Sequence, residues 1–137
     1  MTWSLSAAAR NNMLDALDTT VNTGGGTATI EIRTGTKPAT PETAATGTLL
    51  ATFNLANPAF EAAAAGSMDI DANPVLTATA AATGTAGYAR IKDRGGNGVA
   101  DGTVTATGGG GDVTIASTSV VSGTTVRVTG GSLSLPA

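Results

Sequence analysis

The chain has 137 residues, the size of a single domain, and a formal net charge of −3. Only seven lysines and arginines and 3% aromatic residues are present, which argues against a nucleic-acid-binding module, because such modules neutralise phosphates and stack on bases. Cysteine and histidine are absent, so disulfides, thiolate nucleophiles, the ordinary catalytic triads and most zinc sites are excluded.

The first predicted element is a helix from Ser4 to Val21. Its apolar residues recur at helical spacing, at Leu5, Ala8, Ala9, Met13, Leu14, Leu17 and Val21. Ser4 or Ser6 suits the N-cap position, and Asn22 to Gly26 ends the helix. The N-terminal sequence lacks the basic and apolar regions of a signal peptide, and no apolar run approaches the ~20 residues that span a bilayer. We expect an N-terminal arm and helix over residues 1–26 and a β-sandwich over 27–137, in one domain.

From Thr27 onward the apolar period changes to two residues, as in a strand with one buried face. Ala28, Ile30 and Ile32 alternate with polar residues in the first such strand. The same pattern predicts further strands at Thr48 to Asn54, Ser67 to Ile70, Val75 to Ala80, Ala86 to Lys92, Val99 to Thr105, Val113 to Ser117, Thr124 to Thr129 and Ser132 to Leu135. Short strands divided by turns predict a mainly β fold, an antiparallel β-sandwich resembling a jelly roll, with one N-terminal α-helix.

Turn residues separate the predicted strands. The stretch from Thr34 to Gly47 is predicted to be a long polar loop, and Arg94 to Gly98 is predicted to form a hairpin. Ala59 to Ala65 has the propensity for one or two helical turns, which Gly66 would stop. Gly108 to Gly111 lacks the Lys and Ser or Thr of a phosphate-binding loop and is predicted to be a flexible connection.

Few side chains are candidates for catalysis. A serine or threonine nucleophile needs a lysine or carboxylate base, and neither Lys37 nor Lys92 stands in a Ser-x-x-Lys pattern. Asp69 and Asp71 would share one face of a strand and are the acid–base candidates for a hydrolase, with a solvated strand edge as the competing interpretation. We therefore assign no catalytic residue, and we expect a protein that is not an enzyme and binds no cofactor.

Two acidic segments bear on metal binding. Asp69 to Asn73 imitates the first ligands of an EF-hand loop, but Pro74 occupies the position that needs glycine and no glutamate closes the loop. Asp93, Asn97 and Asp101 around the hairpin carry oxygen ligands that suit calcium, whereas a plain turn explains the same residues. The sequence leaves this choice open, and no metal ligand is assigned.

A basic stripe is the best candidate for partner contact. Arg90, Lys92 and Arg94 fall two residues apart along one predicted strand and its turn, which places Arg90 and Lys92 on one sheet face beside Tyr88. We expect this stripe to meet acidic groups on a partner, with the wet face of an antiparallel sheet as the competing interpretation. Trp3 is expected to anchor the N-terminal arm in a neighbour's pocket, with packing in its own chain as the alternative.

Several turn and strand motifs resemble a family of short proteins encoded with the structural genes of tailed bacteriophages and prophages. The motifs run nearly from end to end: Leu5-Ser6-Ala7-Ala8-Ala9-Arg10, Thr34-Gly35 with Pro38, Ala45-Thr46-Gly47-Thr48-Leu49-Leu50-Ala51, Ala59-Phe60, Thr83-Gly84-Thr85-Ala86-Gly87-Tyr88-Ala89-Arg90, Asp101-Gly102-Thr103-Val104 and Gly123-Thr124-Thr125-Val126. None of them is a catalytic signature, so the resemblance implies a virion structural protein and carries over no functional residue.

The resemblance implies, more narrowly, a capsid cement or decoration protein on the outer surface of the virion, similar in architecture to a jelly roll. Its implied partners are the major capsid protein and further copies of itself, as a dimer or trimer that spans neighbouring subunits. It would be made in the host cytoplasm, with neither nucleic acid nor membrane as a partner. A neck, tail or baseplate component is the alternative within the virion. A receptor- or glycan-binding fibre module is the alternative of another class, although few aromatic residues are available to stack on sugars.

Overall fold

The computed structural model describes residues 3–137, and within them the regular structure is one helix and nine strands. The elements are α1 (Ala7–Val21), β1 (Thr29–Thr34), β2 (Leu49–Asn54), β3 (Ser67–Asp69), β4 (Thr77–Thr79), β5 (Gly84–Lys92), β6 (Gly98–Ala106), β7 (Val113–Ile115), β8 (Ser119–Val120) and β9 (Thr125–Ser134). The prediction of a mainly β fold with one N-terminal helix is confirmed. Within the same residues, no helix combines the length and the apolar character needed to cross a bilayer.

Helix α1 begins three residues later than predicted. Ser6 is its N-cap, and its hydroxyl accepts a hydrogen bond from the Ala9 amide at 3.1 Å. The fully buried residues of the helix are Leu14 and Val21. Polar side chains of the helix and of its C-cap, Asn22, also accept hydrogen bonds from backbone amides of the following chain, in the pairs Asn11 with Gly66, Asp18 with Phe60 and Asn22 with Ala59. The helix is therefore attached to residues 59–66 by polar contacts as well as by a narrow apolar face.

The helical turn for which Ala59 to Ala65 has the propensity does not form. This segment instead follows the outer edge of β3, where the Glu61 amide donates to the Asp69 carbonyl at 2.8 Å. Ala64 and Ser67 exchange two further backbone hydrogen bonds at 2.8 and 3.0 Å. Pairing with a strand edge satisfies these backbone groups, so the tertiary contact overrides the intrinsic helix propensity of the alanines.

The strands form one continuous sheet in the order β2-β1-β5-β6-β7-β9-β3, with β4 also paired to β9 and β8 also paired to β5. The sheet curls into a half-barrel, which is not clearly a sandwich or a jelly roll. Every pair of strands is antiparallel except β6 with β7, which are parallel. The prediction of a purely antiparallel arrangement is therefore wrong, and the sheet is mixed.

The parallel pair depends on a tight glycine turn between β6 and β7. Gly108 and Gly110 adopt left-handed backbone angles, with φ of 85° and 81°, which lets the chain double back within residues 107–112. The Gly109 amide donates to the Ala106 carbonyl and the Gly111 amide to the Thr105 hydroxyl, both at 2.9 Å. The predicted loose connection is thus a hydrogen-bonded turn.

The remaining strand predictions agree with the structure to within a few residues, with two exceptions. The two strands predicted at the C-terminal end are one, β9, which continues through Gly130 and Gly131. Strand β8 has two residues and was not predicted, because so short a run has no visible periodicity. The predicted hairpin at Arg94 to Gly98 joins the antiparallel strands β5 and β6.

One face of β1, β2 and β5 is apolar and packs into the core. Ile30 lies opposite Phe53 of β2 and Ile91 of β5, and Ile32 lies opposite Ala89 of β5. All five side chains are buried, as the alternation of apolar residues in β1 predicted for Ile30 and Ile32. The opposite face of β1, β5 and β6 carries polar residues.

Candidate contact surface

The polar face of β1, β5 and β6 holds the predicted stripe. In the register of the sheet, Glu31 of β1 lies opposite Arg90 of β5, and Arg90 lies opposite Asp101 of β6. Residues directly opposite each other share a face, so negative, positive and negative charges succeed one another across three strands. Tyr88 and Lys92 lie on the same face at either side of Arg90, as the two-residue period predicts.

Arg90 is the centre of this face. Its Nε and Nη2 donate to Oδ1 and Oδ2 of Asp101, both at 2.7 Å, and its Nη1 donates to the Thr43 carbonyl at 2.6 Å. The side chains of Arg90 and Asp101 are only 4% and 3% exposed. The two hydrogen bonds that Arg90 donates to Asp101 raise the pKa of Arg90 above its ordinary value, so the guanidinium stays charged in its buried position.

A second group of charges lies beside this pair. The Glu31 carboxylate accepts hydrogen bonds from Lys92 Nζ at 2.7 Å and from Arg33 Nε at 2.9 Å. Burial by itself raises the pKa of Glu31, but the hydrogen bonds from Lys92 and Arg33 outweigh burial and lower the pKa below its ordinary value of 4.5. Arg33, Arg90 and Lys92 are three of the seven cations of the chain, so a large share of the positive charge is neutralised on this face.

The β1–β2 loop, residues 35–48, lies over the same face. Tyr88 Oη donates to the Thr46 carbonyl at 2.7 Å and accepts a hydrogen bond from the Thr46 amide at 3.0 Å. Together with the bond from Arg90 to Thr43, this contact attaches the loop to two buried side chains of β5. The sequence predicted the loop but not its attachment to the sheet.

Two glycines allow the loop to approach the sheet closely. A Cβ atom at Gly87 would collide with the carbonyl oxygen of Gly35, and one at Gly98 would collide with the carbonyl oxygen of Pro41. A glycine inside a predicted strand is a recognised sign of close backbone approach. Gly87 was therefore the signal in the sequence from which this contact could have been inferred.

The predicted contact residues differ in how much surface they present to a partner. Tyr88 and Arg90 are buried and their polar atoms are bonded within the chain, whereas Lys92 is half-buried against Glu31. Trp3 is 78% exposed. Contact of these residues with a partner stays a prediction, and within the chain Tyr88 and Arg90 position the loop.

Arg94, the last residue of the predicted stripe, has a separate structural role. Its amide donates to the Val21 carbonyl at 3.2 Å, and its carbonyl accepts a hydrogen bond from the Gly26 amide at 2.8 Å. These bonds join the β5–β6 hairpin to the end of α1. The side chain of Arg94 is half-buried beside this junction.

The outer side of the β1–β2 loop is polar and exposed, with Lys37 and Glu42 as its charged residues. Hydrogen bonds from its own amide and from the Thr40 hydroxyl hold the pKa of Glu42 below its ordinary value. A shallow cleft of about 410 Å³ separates the loop from the β5–β6 hairpin, and Glu42, Lys92 and Asn97 are among its lining residues. The loop and this cleft form the candidate contact surface.

Of the acidic residues considered for catalysis or calcium, Asp71, Asp93 and Asp101 accept hydrogen bonds within the chain, whereas Asp69 is an exposed residue of β3. Asp71 accepts a bond from the Asn73 amide at 3.0 Å. Asp93 accepts bonds from the amides of Asn97 and Gly95, which lower its pKa. Both oxygens of Asp101 accept hydrogen bonds from Arg90. Asp101 is therefore engaged with Arg90 and is not placed to bind calcium together with Asp93 and Asn97. Within residues 3–137, no group of three or more acidic, histidine or cysteine side chains is placed to hold a metal ion.

Comparison with known proteins gives no match: no family model, no curated protein and no solved structure is similar to this chain. Its function therefore has to be inferred from its own residues and their geometry.

Proposed function

We propose that the protein is a structural component of a tailed-phage particle, a capsid cement or decoration protein that clamps adjacent major capsid subunits from outside. The observation that carries the proposal is the β1–β2 loop, which Arg90 and Tyr88 attach to the sheet at Thr43 and Thr46. A loop held in one shape before binding loses little conformational entropy on contact with a partner. The phage-like motifs of the sequence support the particle as the place of that contact.

The chemistry of the exterior supports a role in protein–protein contact. Charged residues make up 12% of the chain, and three of the seven cations are paired on one sheet face. The cores of protein interfaces are depleted in charge, so an exterior of threonine, serine and alanine suits burial against other subunits. Many weak contacts of this kind add up when a dimer or trimer spans neighbouring subunits, and the exposed Trp3 would anchor the N-terminal arm in one of them. This role places the protein on the outer capsid surface, after synthesis in the host cytoplasm.

Two alternative functions can each be distinguished from the cement role by a different observation. A neck, tail or baseplate component would share the same chemistry and differ in the number of copies per particle. A glycan-binding module would need exposed aromatic rings, whereas Tyr88, Phe53 and Phe60 are buried and Trp3 is the exposed aromatic residue of the described chain. The jelly-roll likeness is also part of the proposal.

The test of the loop as the docking element uses particles that lack the protein and purified protein added back. Lys37→Glu changes the exposed cation of the loop, and Arg127→Glu changes an exposed cation on β9 as a matched control. We expect Lys37→Glu to weaken binding to the particles about tenfold at low salt, with a smaller effect at high salt, and Arg127→Glu to bind like the original protein. Equal binding of both variants would exclude docking through the loop.

The proposed location on the capsid is tested by counting the copies of the protein in each purified particle. A number close to that of the major capsid protein indicates cement, and a number far below it indicates a neck or tail component. Particles without the protein are expected to burst at lower temperature if the protein clamps the shell. Absence of the protein from purified particles would contradict the proposal as a whole.

A further inference from the structure

The wall of the half-barrel is interrupted where β7 begins. Strand β7 lies between β6 and β9 and is three residues long, whereas β6 starts at Gly98 and β9 extends to Ser134. Within the described residues, no strand therefore lies between β6 and β9 on the side that precedes Val113. Gly102 of β6 borders this gap and contributes no side chain that would close it.

The gap contains an apolar hole of about 110 Å³. Its apolar lining comes from the core and from the flanking strands: Ile70, Ala89, Ile91, Ala100, Val113 and Leu133. The exposed residues Asp112 and Ser132 also belong to the lining, so the hole opens at the surface. Closed apolar cavities of about 150 Å³ bind a benzene-sized ring. An open hole of this size therefore suits part of an aromatic ring that enters from outside.

Asp112 supplies a hydrogen-bond acceptor at the mouth of the hole. Its Oδ2 accepts hydrogen bonds from the Thr103 amide at 2.8 Å and from the Thr103 hydroxyl at 3.0 Å. Its Oδ1 accepts no hydrogen bond from a donor within residues 3–137. Apolar walls with one available carboxylate oxygen at the rim match an aromatic ring that carries an N–H group.

Trp3 has the complementary properties. It is the single tryptophan of the chain, and its side chain is 78% exposed. Residues 3–5, the described part of the N-terminal arm, form no hydrogen bond with the rest of the described chain. Met13, Val75 and Val121 are also exposed, but none of them has a side-chain N–H or O–H group. Tryptophan is also one of the residues most enriched at the energetic centres of protein interfaces.

We propose that the hole binds the Trp3 indole of a second copy of this chain, whose N–H donates to Asp112 Oδ1. The second copy is favoured as the source because Trp3 is exposed in its own chain and does not line the hole. Arg10 of α1 donates to the Leu135 carbonyl at 3.2 Å, and Leu133 of the hole lies two residues earlier. The arm and the hole are thus attached to the same end of β9, so two facing copies can exchange arms about a twofold axis.

The size of this contact predicts a weak pair. A buried aromatic side chain removes roughly 150–250 Å² from water, so two reciprocal indoles bury less than the ~1,200 Å² of a stable interface. We therefore expect pairing in the micromolar range in solution, which attachment of both copies to one shell would strengthen through effective concentration. The inference rests on the proposed function and deepens it, because it gives the Trp3 anchor a partner and a pocket.

The experiment uses the purified full chain without particles. Fluorescence of the single tryptophan and sedimentation velocity are measured from about 5 µM to about 1 mM protein. We expect the emission to move to shorter wavelength and iodide quenching to fall as the concentration rises, because the indole leaves water. Ala100→Leu fills part of the hole and is expected to weaken pairing about tenfold. Ala106→Leu changes an exposed position of the same strand and is expected to pair like the original chain.

Variants of Trp3 keep the test decisive if Ala100→Leu does not fold. Trp3 is exposed, so its replacement leaves the core intact. Sedimentation is expected to show no pairing of Trp3→Ala over the same concentrations. Trp3→Phe keeps a ring but lacks the N–H, and we expect it to pair about fivefold more weakly than the original chain.

Two results would overturn the proposal directly: equal self-association of Trp3→Ala and the original chain, or equal pairing of Ala100→Leu and Ala106→Leu. A shift in emission that is independent of protein concentration would also overturn it, because Trp3 would then bind within its own chain. Since the samples hold no particles, a failure to pair leaves the result of the Lys37→Glu binding test unaffected. Absence of the protein from purified particles would likewise leave the pairing result standing.

Discussion

Arg90 and Asp101 lie directly opposite each other across β5 and β6, and two 2.7 Å hydrogen bonds join them beneath the β1–β2 loop. Arg90 also donates to the Thr43 carbonyl of that loop. One buried ion pair is therefore both a cross-strand contact and the point where the loop is attached. Loss of either charge is expected to affect both the stability of the sheet and the position of the loop.

Asp101→Ala is expected to lower the free energy of unfolding by about 3–5 kcal/mol, because it leaves a buried guanidinium without its counter-charge. Urea denaturation followed by circular dichroism measures the change. The double variant Arg90→Met with Asp101→Leu is the control, since an apolar pair of similar volume is expected to recover most of the loss. If the double variant were as unstable as the single one, the charge pair would not be the main contribution.

Tyr88→Phe removes the hydroxyl that bonds to both backbone groups of Thr46. We expect a loss of about 1 kcal/mol of stability and hydrogen exchange several-fold faster at the Thr46 amide, because the loop loses one of its two attachments to side chains of β5. Thr46→Ala is the matched control, since it keeps the backbone groups that Tyr88 binds. Unchanged exchange at residue 46 in Tyr88→Phe would show that the loop is held by other contacts.

Gly87→Ala tests the close approach of the loop to β5. The added methyl group would collide with the Gly35 carbonyl, so we expect a loss of about 1–3 kcal/mol and displacement of the loop. Gly25→Ala is the control, because a Cβ atom there meets nothing within 4 Å. The comparison needs only thermal unfolding of the two variants, and equal melting temperatures would exclude the predicted collision.

The Glu31 carboxylate is expected to make stability depend on pH. Its pKa in the folded state lies below the ordinary value of 4.5, so its contribution is complete above that value and is lost as the pH falls through the folded-state pKa. Glu31→Gln is therefore expected to cost about 1 kcal/mol at neutral pH, since Lys92 and Arg33 are partly exposed, and almost nothing in strong acid.

Denaturation curves at several pH values check this expectation. Glu61→Gln, which changes an exposed carboxylate, serves as the control and is expected to follow the original chain at each pH. A cost for Glu31→Gln that stayed constant from neutral pH to strong acid would contradict the assigned role of the Glu31 charge.

Elements that depend on near neighbours in the sequence were predicted well. The apolar spacing of α1, the alternation of Ile30 and Ile32 in β1 and the hairpin between β5 and β6 all rest on contacts within a few residues. Elements that depend on partners distant in the sequence were not predicted. Ala59 to Ala65 pairs with β3 instead of forming a helical turn, and β7 joins β6 in parallel because the glycine turn doubles back.

For the candidate site, too, the local features were predictable from the sequence and the long-range contacts were not. The sequence by itself determined that Tyr88, Arg90 and Lys92 share one face of a strand, because side chains alternate with a period of two. Only the tertiary structure decided that Tyr88 and Arg90 are buried on that face, since the loop residues that they bind, Thr46 and Thr43, are 42 and 47 positions away in the chain. Alternation along a strand specifies which side chains lie on the same face of the sheet. Which residues cover that face depends on a loop that is distant in the sequence and is brought there by the fold.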